Sequence, residues 1–99
     1  MIYFYGCDNL QSLEGIPNEV HSFAVTSKSL KTLIGGPTKV KEKYSVRDCT
    51  NLRSLQGCPE EVPGTFDCSH CTNLRTLKGG PKRVGDNFYC NNCKNLMSL

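Results

Sequence analysis

The chain repeats itself at a step of 21 or 22 residues, and this periodicity constrains its fold more than any other feature. Written from aromatic or aliphatic starts, it divides into IYFYGCDNLQSLEGIPNEVHS, FAVTSKSLKTLIGGPTKVKEK, YSVRDCTNLRSLQGCPEEVPGT, FDCSHCTNLRTLKGGPKRVGDN and FYCNNCKNLMSL. These units begin at Ile2, Phe23, Tyr44, Phe66 and Phe88. Leu10, Leu30, Leu52, Leu74 and Leu96 fall in one column, and Leu13, Leu33, Leu55, Leu77 and Leu99 in the next. A proline column (Pro17, Pro37, Pro59, Pro81) and a valine column (Val20, Val40, Val62, Val84) follow. The second unit is one residue short between Phe23 and Leu30, which predicts a bulge or a tightened bend there. A chain of 99 residues holds one domain, here 1–99, with five coils at about 2–22, 23–43, 44–65, 66–87 and 88–99.

Within a unit, Phe66-Asp67-Cys68-Ser69 alternates apolar and polar residues at period 2, as a half-buried strand requires. Tyr44-Ser45-Val46-Arg47 and Phe88-Tyr89-Cys90-Asn91 do the same. The Leu-x-x-Leu step then turns back toward the core. Gly-x-Pro stops helix growth, because proline lacks an N–H and glycine favours turns, so the return leg is expected to be irregular or extended. No segment sustains a 3.6-residue period. The expected fold is mainly β with little helix: a short solenoid with a parallel β-sheet and irregular extended return legs. No single coil could bury its apolar face alone.

The pattern Φ-x-[C/V/F]-x-x-C-x-x-L-x-[S/T]-L-x-G-x-P-x-x-V resembles the leucine-rich-repeat family over the whole chain. It is similar to short bacterial leucine-rich repeats, and especially to the L-x-S-L-x-G-x-P-x-x-V repeat proteins of tailed phages. The strand here carries Phe, Val and Cys where the usual repeat has Leu. The resemblance implies a leucine-rich-repeat-like solenoid. It also implies a phage protein of host takeover, inhibiting a host or defence protein in the bacterial cytoplasm.

Composition narrows the class. At 37% hydrophobic and 21% charged residues, the chain is too apolar for disorder, and no run approaches the length of a membrane span. The opening MIYFYGCDNL lacks the basic and apolar regions of a secretory signal, so a cytoplasmic location is expected. A net charge of +3 is well short of what a dedicated nucleic-acid binder shows.

Seven cysteines cannot close as intrachain pairs without one left over. Cys68-x-x-Cys71 and Cys90-x-x-Cys93 have the spacing of a structural zinc site. The repeat alone generates that spacing: Cys68 and Cys90 share the inward strand column with Phe4, Val25 and Val46, and Cys71 and Cys93 share the bend column with Cys7 and Cys49. They are read as small buried apolar residues whose thiols donate weakly at the bend. Zinc at Cys68, Cys71, Cys90 and Cys93 is the alternative. No cofactor is expected. His21 and His70 have no nucleophile partner at motif spacing, and Gly35-Gly36 and Gly79-Gly80 belong to the repeat turn, so no enzyme is expected.

Function is therefore sought on the surface. Strand residues facing away from the core form two rows: Tyr3, Ala24, Ser45, Asp67, Tyr89, and Tyr5, Thr26, Arg47, Ser69, Asn91. These rows vary while the core columns repeat, and solenoids commonly bind partners on such a face. Tyr3, Tyr5, Arg47, Asp67 and Tyr89 are the candidate protein-binding residues. The expected function is a non-catalytic protein-binding module. A self-associating structural subunit, or homo-oligomer, is the alternative, because the last coil lacks a polar cap. Weak nucleic-acid binding comes third, prompted by Lys31, Arg53 and Arg75 in one column. Membrane binding is not expected.

Overall fold

The computed structural model describes residues 2–4 and 9–96, without the side chains of Ile2 and Phe4. Tyr5, Cys7 and Leu99 lie outside the described residues. Among these residues there are nine short strands and no helix: β1 (Ile2–Phe4), β2 (Glu19–Val20), β3 (Phe23–Val25), β4 (Lys39–Val40), β5 (Tyr44–Ser45), β6 (Glu61–Val62), β7 (Phe66–Asp67), β8 (Arg83–Val84) and β9 (Phe88–Tyr89). No helix among them is long and apolar enough to cross a membrane.

The odd-numbered strands form one parallel sheet in the order β1-β3-β5-β7-β9, each coil lying beside the next. Ile2 pairs with Phe23, Phe23 with Tyr44, Tyr44 with Phe66 and Phe66 with Phe88. The residues that open the five repeats thus form one row across the sheet. The fold is mainly β, with parallel strands and coils stacked as the periodicity requires.

The repeated columns build the core. Phe23, Tyr44 and Phe66 are fully buried, and so are Leu30, Leu52 and Leu74 from the first leucine column and Leu13, Leu33 and Leu55 from the second. The aromatic row packs ring on ring, with centroids 5.2 Å apart for Phe23–Tyr44, 5.7 Å for Tyr44–Phe66 and 5.1 Å for Phe66–Phe88. Residues toward the ends of the stack, such as Leu10, Val20, Val84 and Leu96, are only partly buried. Phe88, on the edge strand β9, is 39% exposed.

The bend after each strand uses two devices. Asp48, His70 and Asn92 stand four residues before the first leucine and adopt positive φ of 64°, 61° and 59°. The next residue is the bend cysteine, whose thiol donates to a carbonyl of the preceding coil: Cys49 to Val25 at 3.6 Å, Cys71 to Val46 at 3.2 Å and Cys93 to Cys68 at 3.1 Å. The short second unit has no residue at the left-handed position. Thr26 leads directly into Ser27, which fills the cysteine's place and donates instead to the carbonyl of Leu10 at 2.8 Å. The residue missing from the second unit is therefore the one that turns the bend left-handed in the third, fourth and fifth.

The hydroxyl between the two leucines caps the next turn. Ser12, Thr32, Ser54 and Thr76 each accept a hydrogen bond from the backbone N–H two residues on, at 3.0 to 3.4 Å. This local bond favours a turn over continued strand or helix. Glycine follows at φ of +94°, +93°, +102° and +83° for Gly15, Gly35, Gly57 and Gly79. At Gly57 a Cβ would also stand 2.5 Å from the backbone N of Ile34, so glycine lets one coil close onto the last.

The return leg is more ordered than its sequence suggests. Around the valine column it forms two small parallel sheets, β2-β4 and β6-β8, with Val20 opposite Val40 and Val62 opposite Val84. The interruption between β4 and β6 has a local cause. The N–H after the valine donates to the preceding coil at Lys41 (to His21 O, 3.0 Å) and at Gly85 (to Val62 O, 2.9 Å). Pro63 occupies that place in the third coil and has no N–H to give.

Candidate binding face

Alternation along each strand sets what faces outward. Phe23 and Val25 turn into the core, so Ala24 points to the other side of the sheet, and register carries this across the strands. Tyr3, Ala24, Ser45, Asp67 and Tyr89 stand opposite one another in a single row, as the repeat alignment places them. Arg47 lies two residues beyond Ser45, in the second row.

The face is not uniformly open. Tyr3 and Tyr89 are each 42% exposed, but Ala24 and Ser45 between them are buried, as is Ser69 in the second row. Their side chains are too short to rise above neighbouring rows. The row thus runs from one exposed tyrosine to another through Ala24 and Ser45, which are buried, and Asp67, which is half-buried. Four strand steps of ~4.8 Å separate the tyrosines by roughly 19 Å. Tyr3 and Tyr89 thus stand at opposite ends of the described row, with Arg47 in the second row on the middle coil between them. Tyr5 lies outside the described residues.

Arg47 and Asp67 are brought together. The Arg47 Nη1 is 3.7 Å from Asp67 Oδ2, with the arginine side chain about half exposed and the carboxylate largely covered. Asp67 Oδ1 also accepts the N–H of Ser69 at 2.9 Å. Asp67 is thus a support for Arg47 rather than an open contact. A carboxylate on a partner would share the guanidinium with Asp67. In the second row, Thr26 Oγ1 donates to the Arg47 carbonyl of the next coil at 3.1 Å. Sequence reasoning missed this pairing, although Arg47 and Asp67 stand in neighbouring coils of the aligned repeat.

Among the described residues no group of three or more histidine, cysteine or acidic side chains is placed to hold a metal ion. The thiols of Cys71 and Cys93 are directed at backbone carbonyls, and Cys49, Cys58, Cys68 and Cys71 are buried. Burial pushes the Cys49 thiol up to about 11 and the Cys58 thiol up to about 12, and raises Cys68 and Cys71 strongly as well. Such thiols are protonated at neutral pH and are poor nucleophiles. Cys58 packs between coils and donates to the Gly79 carbonyl at 3.3 Å.

The two histidines are held by neighbours one coil away. His21 Nε2 lies 2.7 Å from Glu42 Oε1 on the exposed return leg. His70 Nδ1 lies 3.3 Å from Asn92 Nδ2 at the bend. No protein-family model, no curated protein and no solved structure matches the chain, so its function is argued from its own geometry.

Proposed function

We propose that this protein is a non-catalytic protein-binding module that engages its partner through the outer face of the five-stranded sheet. The reading rests on one observation. Register-matched outward positions differ from coil to coil (Tyr3, Ala24, Ser45, Asp67, Tyr89), while the inward row of the same strands stays aromatic or aliphatic throughout. Packing explains the constancy of the inner row and leaves the variation of the outer row to recognition. Exposed tyrosines are common anchors in protein interfaces. The partner proposed is a host or defence protein met in a bacterial cytoplasm, in keeping with the resemblance to tailed-phage repeat proteins.

The sheet face alone is small. Five strands of about four residues cover on the order of 250 Å², against ~800 Å² per partner in a standard interface, so the partner must also reach the flanking loops. Capture from bacterial lysate followed by titration of the purified partner tests the reading. Tyr89→Ala and Arg47→Ala should each weaken the complex by more than ~1 kcal/mol, with unchanged melting temperature. Lys39→Ala with Lys41→Ala on the return leg should change binding little. If the lysine changes abolish binding and the strand changes do not, recognition lies off the sheet face.

A second reading, self-association, is favoured by the exposed ring of Phe88 on edge strand β9. It predicts a mass in light scattering that rises with concentration and falls back to monomer in Phe88→Lys. A monomer at all concentrations removes it.

A further inference from the structure

The charges of this solenoid are arranged in two opposite ways. On the return leg they alternate in sign along the stack. Glu19 stands opposite Lys39, and Glu61 opposite Arg83. Arg83 Nη1 reaches Glu61 Oε2 at 3.5 Å, and beside it Lys82 Nζ reaches Glu60 Oε1 at 3.8 Å. Stacking coils puts equivalent residues ~4.8 Å apart, and alternation turns that proximity into attraction.

The column after the first leucine does the reverse. Lys31, Arg53 and Arg75 are all cationic, all exposed, and none has an acidic partner within 4.0 Å among the described residues. The Arg75 N–H donates to the Arg53 carbonyl at 3.2 Å, so neighbouring members of the row are in direct register. A row of exposed amides runs beside it: Asn73 Nδ2 donates to Asn51 Oδ1 at 3.4 Å, and Asn95 Nδ2 to the Thr72 carbonyl at 2.8 Å. Two shallow depressions open along the row, one lined by Lys31, Asn51 and Arg53, the other by Arg75, Lys94, Asn95 and Leu96. Like charges held in register repel one another, and nothing in the core requires them there.

We propose that the Lys31–Arg53–Arg75 row, extended by Lys94, binds the phosphodiester backbone of single-stranded nucleic acid, laid along the axis of the stack. This surface is separate from the sheet face and does not depend on the protein-binding reading. The chemistry favours phosphates over an acidic peptide. An extended peptide turns successive side chains to opposite sides, so only every second carboxylate would meet the row. A phosphodiester chain carries a charge on every unit of its backbone, and guanidinium groups take phosphate oxygens in a two-pronged fashion. Contact through phosphates makes the binding independent of sequence and steeply dependent on salt.

Fluorescence anisotropy with labelled oligothymidine tests the proposal on the intact chain. Binding should weaken with salt on a log–log slope of about −3, since each of the four phosphates met by Lys31, Arg53, Arg75 and Lys94 contributes about −0.7 on a single strand. Arg53→Ala and Arg75→Ala should each make the slope shallower by about 0.7, and Arg53→Glu with Arg75→Glu should abolish binding while the melting temperature stays within a few degrees of the parent. Lys82→Ala with Arg83→Ala, which removes paired cations, and Arg47→Ala on the sheet face should leave oligothymidine binding unchanged. The proposal is overturned if the Arg53 and Arg75 variants bind as the parent does. It is equally overturned if binding ignores salt, or if polyglutamate displaces the oligonucleotide as well as unlabelled oligothymidine does.

Discussion

The phenol of Tyr44 is the one buried side-chain polar group without a hydrogen-bond partner among the described residues. It stands in a column otherwise filled by Ile2, Phe23, Phe66 and Phe88, stacked nearly parallel to Phe66 and tilted against Phe23. Burial raises its pKa well above the usual phenol value, so it remains neutral. A buried donor left unmade costs about 1 to 3 kcal/mol. Tyr44→Phe should therefore stabilise the protein by about 1 kcal/mol, seen as a higher urea midpoint with unchanged m-value. A lower midpoint would show that the hydroxyl has a partner, such as an internal water. Leu74 poses the opposite case, being fully buried with a coil on each side. Leu74→Ala should cost about 2 to 5 kcal/mol in the same measurement, and an unchanged midpoint would mean the columns are out of register.

At the scale of an element, the bend is the most distinctive part of each coil. Its left-handed residue is Asp48, His70 or Asn92, and asparagine and aspartate are the non-glycine residues that tolerate this conformation best. His70→Gly should be accepted with little change in stability. His70→Val should cost about 1 to 2 kcal/mol, because a β-branched side chain clashes there. Equal melting curves for the two variants would place the bend in another conformation. The strand, the bend and the Leu-x-[S/T]-Leu turn were all legible in the sequence, because each depends on residues close together in the chain. The paired return legs were not legible. Two-residue strands around a valine carry too few alternating positions to announce a period, and whether they pair depends on an N–H that Pro63 lacks.

At the scale of the whole molecule, Cys49, Cys58, Cys68 and Cys71 share a common core, and this couples stability to pH. An unfolded thiol has a pKa near 8.5, whereas burial holds Cys49 at about 11 and Cys58 at about 12. Between those values the folded chain keeps protons that the unfolded chain has released. Stability is therefore fully present below about pH 8.5 and falls as pH rises through the folded values. Urea unfolding at pH 7 and pH 10 should show a lower midpoint at pH 10, and Cys58→Ala should reduce the difference. A midpoint that holds or rises at pH 10 contradicts burial of these thiols. Because the thiols of Cys71 and Cys93 are directed at backbone carbonyls, a chelator should leave the melting curve unchanged. Unfolding on chelation, with one zinc released per chain, would restore the metal-clamped reading of Cys68, Cys71, Cys90 and Cys93.

By itself the sequence determined the coil length, the parallel register and the identity of the core, because in a stack of like coils every repeat column must fall on its equivalent. Ile2, Phe23, Tyr44, Phe66 and Phe88 stand opposite one another for that reason. The tertiary structure alone decided how the outer surfaces are used. The register places Arg47 and Asp67 in adjacent coils, but only side-chain geometry shows that they meet at 3.7 Å while Tyr3 and Tyr89 stay exposed at either end of the row. The charges of Glu19, Lys39, Glu61 and Arg83 alternate while those of Lys31, Arg53 and Arg75 do not, a contrast that gains physical meaning only once the coils bring them within reach of one another. Electrostatic interaction depends on distance in space, and a repeat of about twenty residues conceals that distance until it is wound.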